Sequence, residues 1–293
     1  MVFLLLNPVF GQQEEQISFY QYNPLAYNPA FAGSQGKLSV SALGHFQWIQ
    51  YAGAPRTQLF SIHSALSKNQ TGIGANFKHD QIGKRKKTEI DLIFASALSL
   101  NANRDHLRLG LSLGLNQYSC DFSDAMVNDP DDPFITQQAL TQLTPGFGIS
   151  YSGKKHFIGF SVPHILPNKA SSSQLLLAFS KPHYYLSGSY DFTLNAPLKL
   201  KVASLLKYVP HVPLTIDLNA TCIYRDKLFG GLNYRFHEGL GINGLIQIKQ
   251  QLLIGYSYEF PINGLFHYQF GSHELMLHFE LKEKSEVEGI PKF

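Results

Sequence analysis

From His106 to Asn116 apolar and polar residues alternate without a break. Leu107, Leu109, Leu111, Leu113 and Leu115 share one face; His106, Arg108, Gly110, Ser112, Gly114 and Asn116 share the other. A helix would scatter those leucines around its circumference, whereas an extended strand sets them all on one side. The pattern returns along the chain. Ile90, Leu92, Phe94, Leu98 and Leu100 alternate with Glu89, Asp91, Ala95, Ala97 and Ser99. Leu252, Ile254, Tyr256, Tyr258 and Phe260 alternate with Gly255, Ser257 and Glu259, and Leu275, Leu277, Phe279 and Leu281 with Glu274, His278 and Glu280.

Fourteen such segments can be marked, at 38–48, 57–67, 70–79, 88–100, 106–118, 143–152, 155–163, 183–193, 198–208, 213–224, 227–236, 239–249, 251–260 and 272–282. Most are long enough for a tilted strand to cross a bilayer, which takes about 9–11 residues, and longer than the roughly 5–6 of soluble strands. The connections sort by parity. Those after even-numbered segments are short, and most after odd-numbered ones are longer, with the longest at 119–142 and 164–182 and a short exception after the eleventh. Tight turns on one side and longer loops on the other are the pattern of an outer-membrane barrel. The expected fold is therefore all-β: a transmembrane outer-membrane β-barrel of about fourteen antiparallel strands, with both ends in the periplasm. In hydrocarbon every backbone N–H and C=O must be paired, and only a closed sheet achieves this with strands. A lumen of this width leaves room for a filling: inward charges, the long loops, or residues 12–37 as an N-terminal plug.

Composition agrees. The chain of 293 residues is 44% hydrophobic but only 15% charged, with 15 Tyr, 22 Phe and 24 Gly. Soluble domains carry nearer 25% charged residues. No apolar run reaches the roughly 18 residues of a transmembrane helix. Val2 to Phe10 is apolar and precedes Gly11-Gln12-Gln13, so residues 1–11 read as a signal peptide with Gln12 as the mature start. Residues 283–293 form a C-terminal periplasmic tail. The net charge of +3 is small, and the one basic cluster, Lys84 to Lys87, reads as a solvated loop; no nucleic-acid motif is present.

Candidate chemistry is sparse. Cys120 and Cys222 fall toward opposite ends of the barrel, too far apart to bridge. Asp124, Asp129, Asp131 and Asp132 lack the ligand spacing of a calcium loop and read as a solvated turn. The histidines are dispersed, and His63, His106 and His278 fall on inward faces, where lumen hydrogen bonds account for them. Gly72-Ile73-Gly74 and Gly146-Phe147-Gly148 lie within strands and open no helix, so they bend a strand or make room in the lumen rather than cradle phosphate. Trp48, Tyr51, Tyr184, Tyr234, Tyr256, Tyr258 and Phe260 sit near strand ends and read as interface girdle. No catalytic residue, cofactor site or metal site is nominated.

The N-terminal segment carries more than periodicity. Gln21-Tyr22-Asn23-Pro24-Leu25-Ala26-Tyr27-Asn28-Pro29-Ala30-Phe31-Ala32-Gly33-Ser34 resembles the opening of the PorP/SprF family of type IX secretion proteins. Trp48 with Gly53-Ala54-Pro55-Arg56-Thr57, Ser61-Ile62-His63, Gly72-Ile73-Gly74, Asp80-Gln81-Ile82-Gly83 and Gly271-Ser272-His273-Glu274-Leu275-Met276-Leu277 extend the resemblance over nearly the whole mature chain. The matching positions are Asn23, Pro24, Asn28, Pro29 and Gly33 in the N-terminal segment and Trp48, Gly53 and Pro55 in the first loop. The resemblance implies a non-enzymatic outer-membrane component of the secretion and gliding system. Its implied role is secretion or surface attachment of cargo, such as a large adhesin, with C-terminal sorting domains. The implied partners are outer-membrane lipid, that cargo, the translocon and the periplasmic ring components. Two other readings stand beside it: a small-solute or fatty-acid pore, motivated by the polar lumen, and a membrane-embedded hydrolase, which needs a triad at the lumen mouth.

Overall fold

The computed structural model describes residues 16–36, 38–67, 70–100, 105–122, 138–166, 181–262, 264 and 270–281. The signal peptide at 1–11, the tail at 283–293, Asp124, Asp129, Asp131 and Asp132, and the middles of both long loops lie outside the described residues.

Fourteen antiparallel strands form a closed barrel. In chain order they are β1 (Ser39–Phe46), β2 (Arg56–Ser67), β3 (Thr71–Ile82), β4 (Arg85–Ser99), β5 (His106–Cys120), β6 (Gln138–Ser152), β7 (His156–Val162), β8 (Tyr184–Asn195), β9 (Leu198–Tyr208), β10 (Thr215–Tyr224), β11 (Leu228–Arg235), β12 (Gly239–Ile248), β13 (Leu252–Pro261) and β14 (Ser272–Glu280). Each pairs with its chain neighbours, and β1 pairs with β14 from Ser39↔Glu280 to Phe46↔His273, which closes the sheet. Closure leaves no free edge for lipid to meet. The alternation sorts as the sequence demands. On β5 the leucines face outward, Leu111 being 60% exposed, while Arg108 and Asn116 are buried inside. No described helix is long and apolar enough to cross a membrane.

Three strands reach three residues or more beyond what the sequence pattern indicates. β3 and β4 run on to meet at a tight turn at Gly83 and Lys84, with Gly83 in the left-handed region at φ 57°. Arg85, Lys86 and Lys87 therefore belong to a strand, not to the solvated loop expected for the basic cluster. β6 begins at Gln138 rather than 143. Above the hydrocarbon both strand faces meet polar surroundings, so the apolar alternation that marks a strand fades while its backbone ladder continues. The loop after β7 starts by turning inward: Ile165 N donates to Pro145 O at 2.9 Å, and His164 is buried 3.9 Å from Glu89. Cys120 and Cys222 are both free thiols.

Candidate functional site in the lumen

Residues 16–36 lie inside the barrel, against the inward faces of the strands. The segment starts in the half of the lumen nearer the long loops and runs to the end that carries the short turns, where it leads into β1. Its first part, to Tyr22, is aromatic. Phe19 is fully buried, and Ile17, Phe19, Tyr20 and Tyr22 pack in one apolar cluster with Leu43, Leu59, Leu245, Leu253 and Met276 from the wall. One carboxylate fixes the chain there: Ser18 N and Phe19 N each donate at 2.8 Å to the two oxygens of Glu274 on β14. A buried carboxylate is costly unless hydrogen-bonded, and two backbone donors supply that partner. Gln21 Nε2 donates to Asn219 Oδ1 at 2.8 Å. Burial pushes the phenols of Tyr20, Tyr22 and Tyr27 well above their ordinary range, so all three stay neutral.

The second part, from Asn23 on, docks by its backbone. Pro24–Ala26 and Pro29–Phe31 form two short 3₁₀ turns, each opened by a proline whose fixed φ suits the first turn and whose missing N–H needs no partner there. Asn23 Nδ2 donates to Ser61 Oγ at 2.9 Å. Asn28 does two jobs. Its Oδ1 caps the second turn by accepting from Ala30 N at 2.9 Å, and its Nδ2 donates to the wall carbonyls of Ile149 (3.2 Å) and Phe160 (3.4 Å). The wall answers with its own donors. Asn76 Nδ2 reaches Leu25 O at 3.0 Å and Ser161 Oγ reaches Tyr27 O at 2.7 Å. The Arg108 guanidinium donates to Ala30 O at 2.9 Å and to Ala32 O. His63 Nδ1 accepts from Gly33 N at 3.1 Å.

Close backbone approach requires an absent side chain on the wall. A Cβ at Gly110 of β5 would overlap the Ala30 nitrogen and the Pro29 carbonyl, and one at Gly148 of β6 would overlap the Asn28 side chain. Gly33, left-handed at φ 71°, faces Gly72 so closely that a Cβ on Gly33 would stand 2.6 Å from the Gly72 Cα. Of the two uses the sequence allows for strand glycines, bending or making room, these make room. Phe31 then packs against Phe157 with ring centroids 4.7 Å apart and the rings tilted by 57°. Beside the plug, Tyr20, Pro24, Tyr27, Phe157 and Ser187 line a cavity of about 30 Å³.

The family described as type IX secretion system membrane protein PorP/SprF matches residues 9–279. The chain belongs to the PorP/SprF family. Its place is accordingly the outer membrane, and the family is one of secretion components. No curated protein matches in sequence. Among solved structures, the chain is similar to the outer membrane protein Omp33 of Acinetobacter baumannii, with TM-score 0.49 and 8% identity over 84% of this chain and 98% of that one. It is similar to a FadL homologue of Pseudomonas aeruginosa, with TM-score 0.45 and 11% identity over 84% and 89%. It is also similar to the KdgM porin, with TM-score 0.42 and 11% identity over 83% and 99%.

In this PorP/SprF barrel the motif positions separate into two groups. Asn23, Pro24, Asn28, Pro29 and Gly33 come together inside the lumen. Trp48, Gly53 and Pro55 build the β1–β2 loop at the outer rim: Trp48 O accepts from Tyr51 N at 3.0 Å, Pro55 O from Gln47 N at 3.0 Å, and Gly53 O from Gly83 N at 2.9 Å. Gly53 is left-handed, at φ 77°. Of the residues that receive the plug, Ser61, His63 and Glu274 lie in the stretches that resemble the family, whereas Arg108, Asn76 and Ser161 carry no motif and look like any inward polar residue. One signal was nevertheless present. Leu205-Leu206, Leu245-Ile246 and Leu252-Leu253 break the alternation, and an apolar side chain on the inward face faces something other than water. Leu205, Leu245 and Leu253 are the members of those pairs that pack in the plug cluster.

Proposed function

We propose that this barrel is a closed binding and assembly component of the type IX system, serving secretion or surface attachment of cargo with C-terminal sorting domains. The observation that carries the reading is the segment inside the lumen: residues 16–36 pack against the inward wall, across the path a solute would take. On this reading Asn23, Pro24, Asn28, Pro29 and Gly33 keep the channel shut. The rim around Trp48, Gly53 and Pro55, with the loops after β5 and β7, offers the surface for cargo. Translocon and periplasmic ring components are the expected machinery partners, reached from the periplasmic end. Two measurements test it. Deletion of the gene abolishes surface display of at least one sorting-domain cargo; normal display of all of them sinks the proposal. Purified protein in planar bilayers gives no solute-sized conductance; steady conductance with residues 16–36 in place returns the pore reading.

A further inference from the structure

We propose that the outward face of β2–β4 at the outer rim, carrying Arg56, His79 and Lys86, binds the phosphate-bearing headgroup of an outer-leaflet lipid. Strand register carries the inference. Directly opposed residues of antiparallel neighbours share a face, so the pairings define rows across neighbouring strands, each row rising across the wall because the strands are tilted. One outward row reads Phe60↔Phe77↔Ile90↔Leu115↔Leu143, apolar throughout. The next row outward reads Gln58↔His79↔Thr88↔Gln117↔Thr141, polar throughout. The one above reads Arg56↔Gln81↔Lys86↔Ser119↔Ala139. On each of β2, β3 and β4 the outward face thus changes from apolar to polar between the first row and the second.

Height decides what the upper rows meet. Two residues along a strand tilted by roughly 40° rise about 5 Å. The polar headgroup layer adds roughly 5–8 Å on each side of the hydrocarbon. His79 therefore stands within that layer. Arg56 and Lys86, each about 10 Å above the last outward apolar residue of its own strand, reach back into it with long side chains whose charged ends seek the polar layer. No carboxylate occupies either polar row from β2 to β6. Arg56 and Lys86 are exposed and make no ion pair with a described residue, while His79 Nδ1 lies 2.9 Å from Thr88 Oγ1. Strands sit about 4.8 Å apart, so Arg56 and Lys86 flank Gln81 and His79 across roughly 10 Å, a span that suits one phosphate-bearing headgroup. Lys84 lies in the turn directly above.

The patch is local. At the outer ends of β8, β9, β11 and β13 the outward positions are Tyr184, Tyr208, Tyr234 and Phe260, the usual aromatic girdle. On β2–β4 the girdle gives way to cations. Continuity with the lipid-facing wall and the sign of the charge both select an anionic lipid over a soluble partner.

The test uses the full-length protein in detergent micelles, titrated with dioleoyl phosphatidic acid and followed by native mass spectrometry. Dioleoyl phosphatidylcholine is the neutral comparison. The wild type retains phosphatidic acid in preference to phosphatidylcholine. The Arg56→Gln/Lys86→Gln variant loses roughly 10- to 30-fold in that affinity, each cation near an anionic surface contributing about fivefold. Lys154→Gln/Lys155→Gln, at the periplasmic turn, binds as the wild type, and heat-modified gel mobility verifies that all variants are folded. Equal retention of both lipids by the wild type, or undiminished binding by the rim variant, overturns the proposal. Displacement of the lipid by millimolar inorganic phosphate overturns the lipid assignment and moves the site to free phosphate.

Discussion

The two halves of the plug are held by different physics. Residues 16–22 present side chains: aromatic rings fill a cluster of wall leucines, and one carboxylate fixes the backbone. Residues 23–36 present backbone: carbonyls meet Arg108, Asn76 and Ser161, and the chain lies against Gly72, Gly110 and Gly148. Apolar clusters accept exchanges of similar volume, because area and packing can be shared among neighbours. Backbone docking cannot, since each carbonyl has one place and each glycine contact has no slack. The lower half should therefore be unforgiving and the outer half tolerant.

The largest effect tests the unforgiving half. Gly110→Val sets a branched side chain where the Pro29–Ala30 backbone lies, and neither wall nor plug can yield locally. Overpacking of this kind costs about 3 kcal/mol or more. The expected outcome is a folded barrel whose plug is released, read as rapid proteolysis within residues 16–36 and new bilayer conductance; an unaltered cleavage pattern contradicts the docking geometry. Asn28→Ala is smaller. It removes the cap on Ala30 N and the links to Ile149 and Phe160, for about 1–2 kcal/mol. Hydrogen exchange at the plug amides should quicken by roughly one order of magnitude for the part of that loss felt locally. The smallest effect belongs to the outer half. Leu253→Met keeps volume and apolarity and should cost under about 1.5 kcal/mol. If its plug amides exchange as fast as those of Asn28→Ala, the two halves are not distinct.

The barrel itself was legible because lipid imposes a strict code. Leu107 to Leu115 must face outward, and that alternation marks the strand almost to the residue; the span 198–208 coincides with β9, Leu198–Tyr208. The code weakens where lipid ends, which is why Gln81, Ile82, Arg85 and Lys86 did not announce a hairpin. The plug was legible as a sequence oddity, through Asn23-Pro24 and Asn28-Pro29, but its docking partners were not. An inward Ser61 or Asn76 has the same chemistry whether it meets water or another stretch of chain, so only three-dimensional proximity assigns the partner. Arg108 is the sharpest case: one more polar residue among alternating leucines, yet the residue whose guanidinium spans two plug carbonyls.

The seam between β1 and β14 gives the Glu274 contact a further meaning. Ser41 Oγ and His278 Nδ1 meet across that seam at 2.7 Å, and Glu274 lies on the same strand with its carboxylate turned inward onto Ser18 and Phe19. The strand that shuts the cylinder is thus fastened from within by the chain's own beginning. Leu43 of β1 and Met276 of β14 both pack in the cluster that Ile17, Phe19, Tyr20 and Tyr22 complete, so plug and seam share contacts, and a coupling through them acts equally in both directions. A pull applied from the periplasm to the segment before β1 would be felt sideways, as an incipient opening toward the lipid.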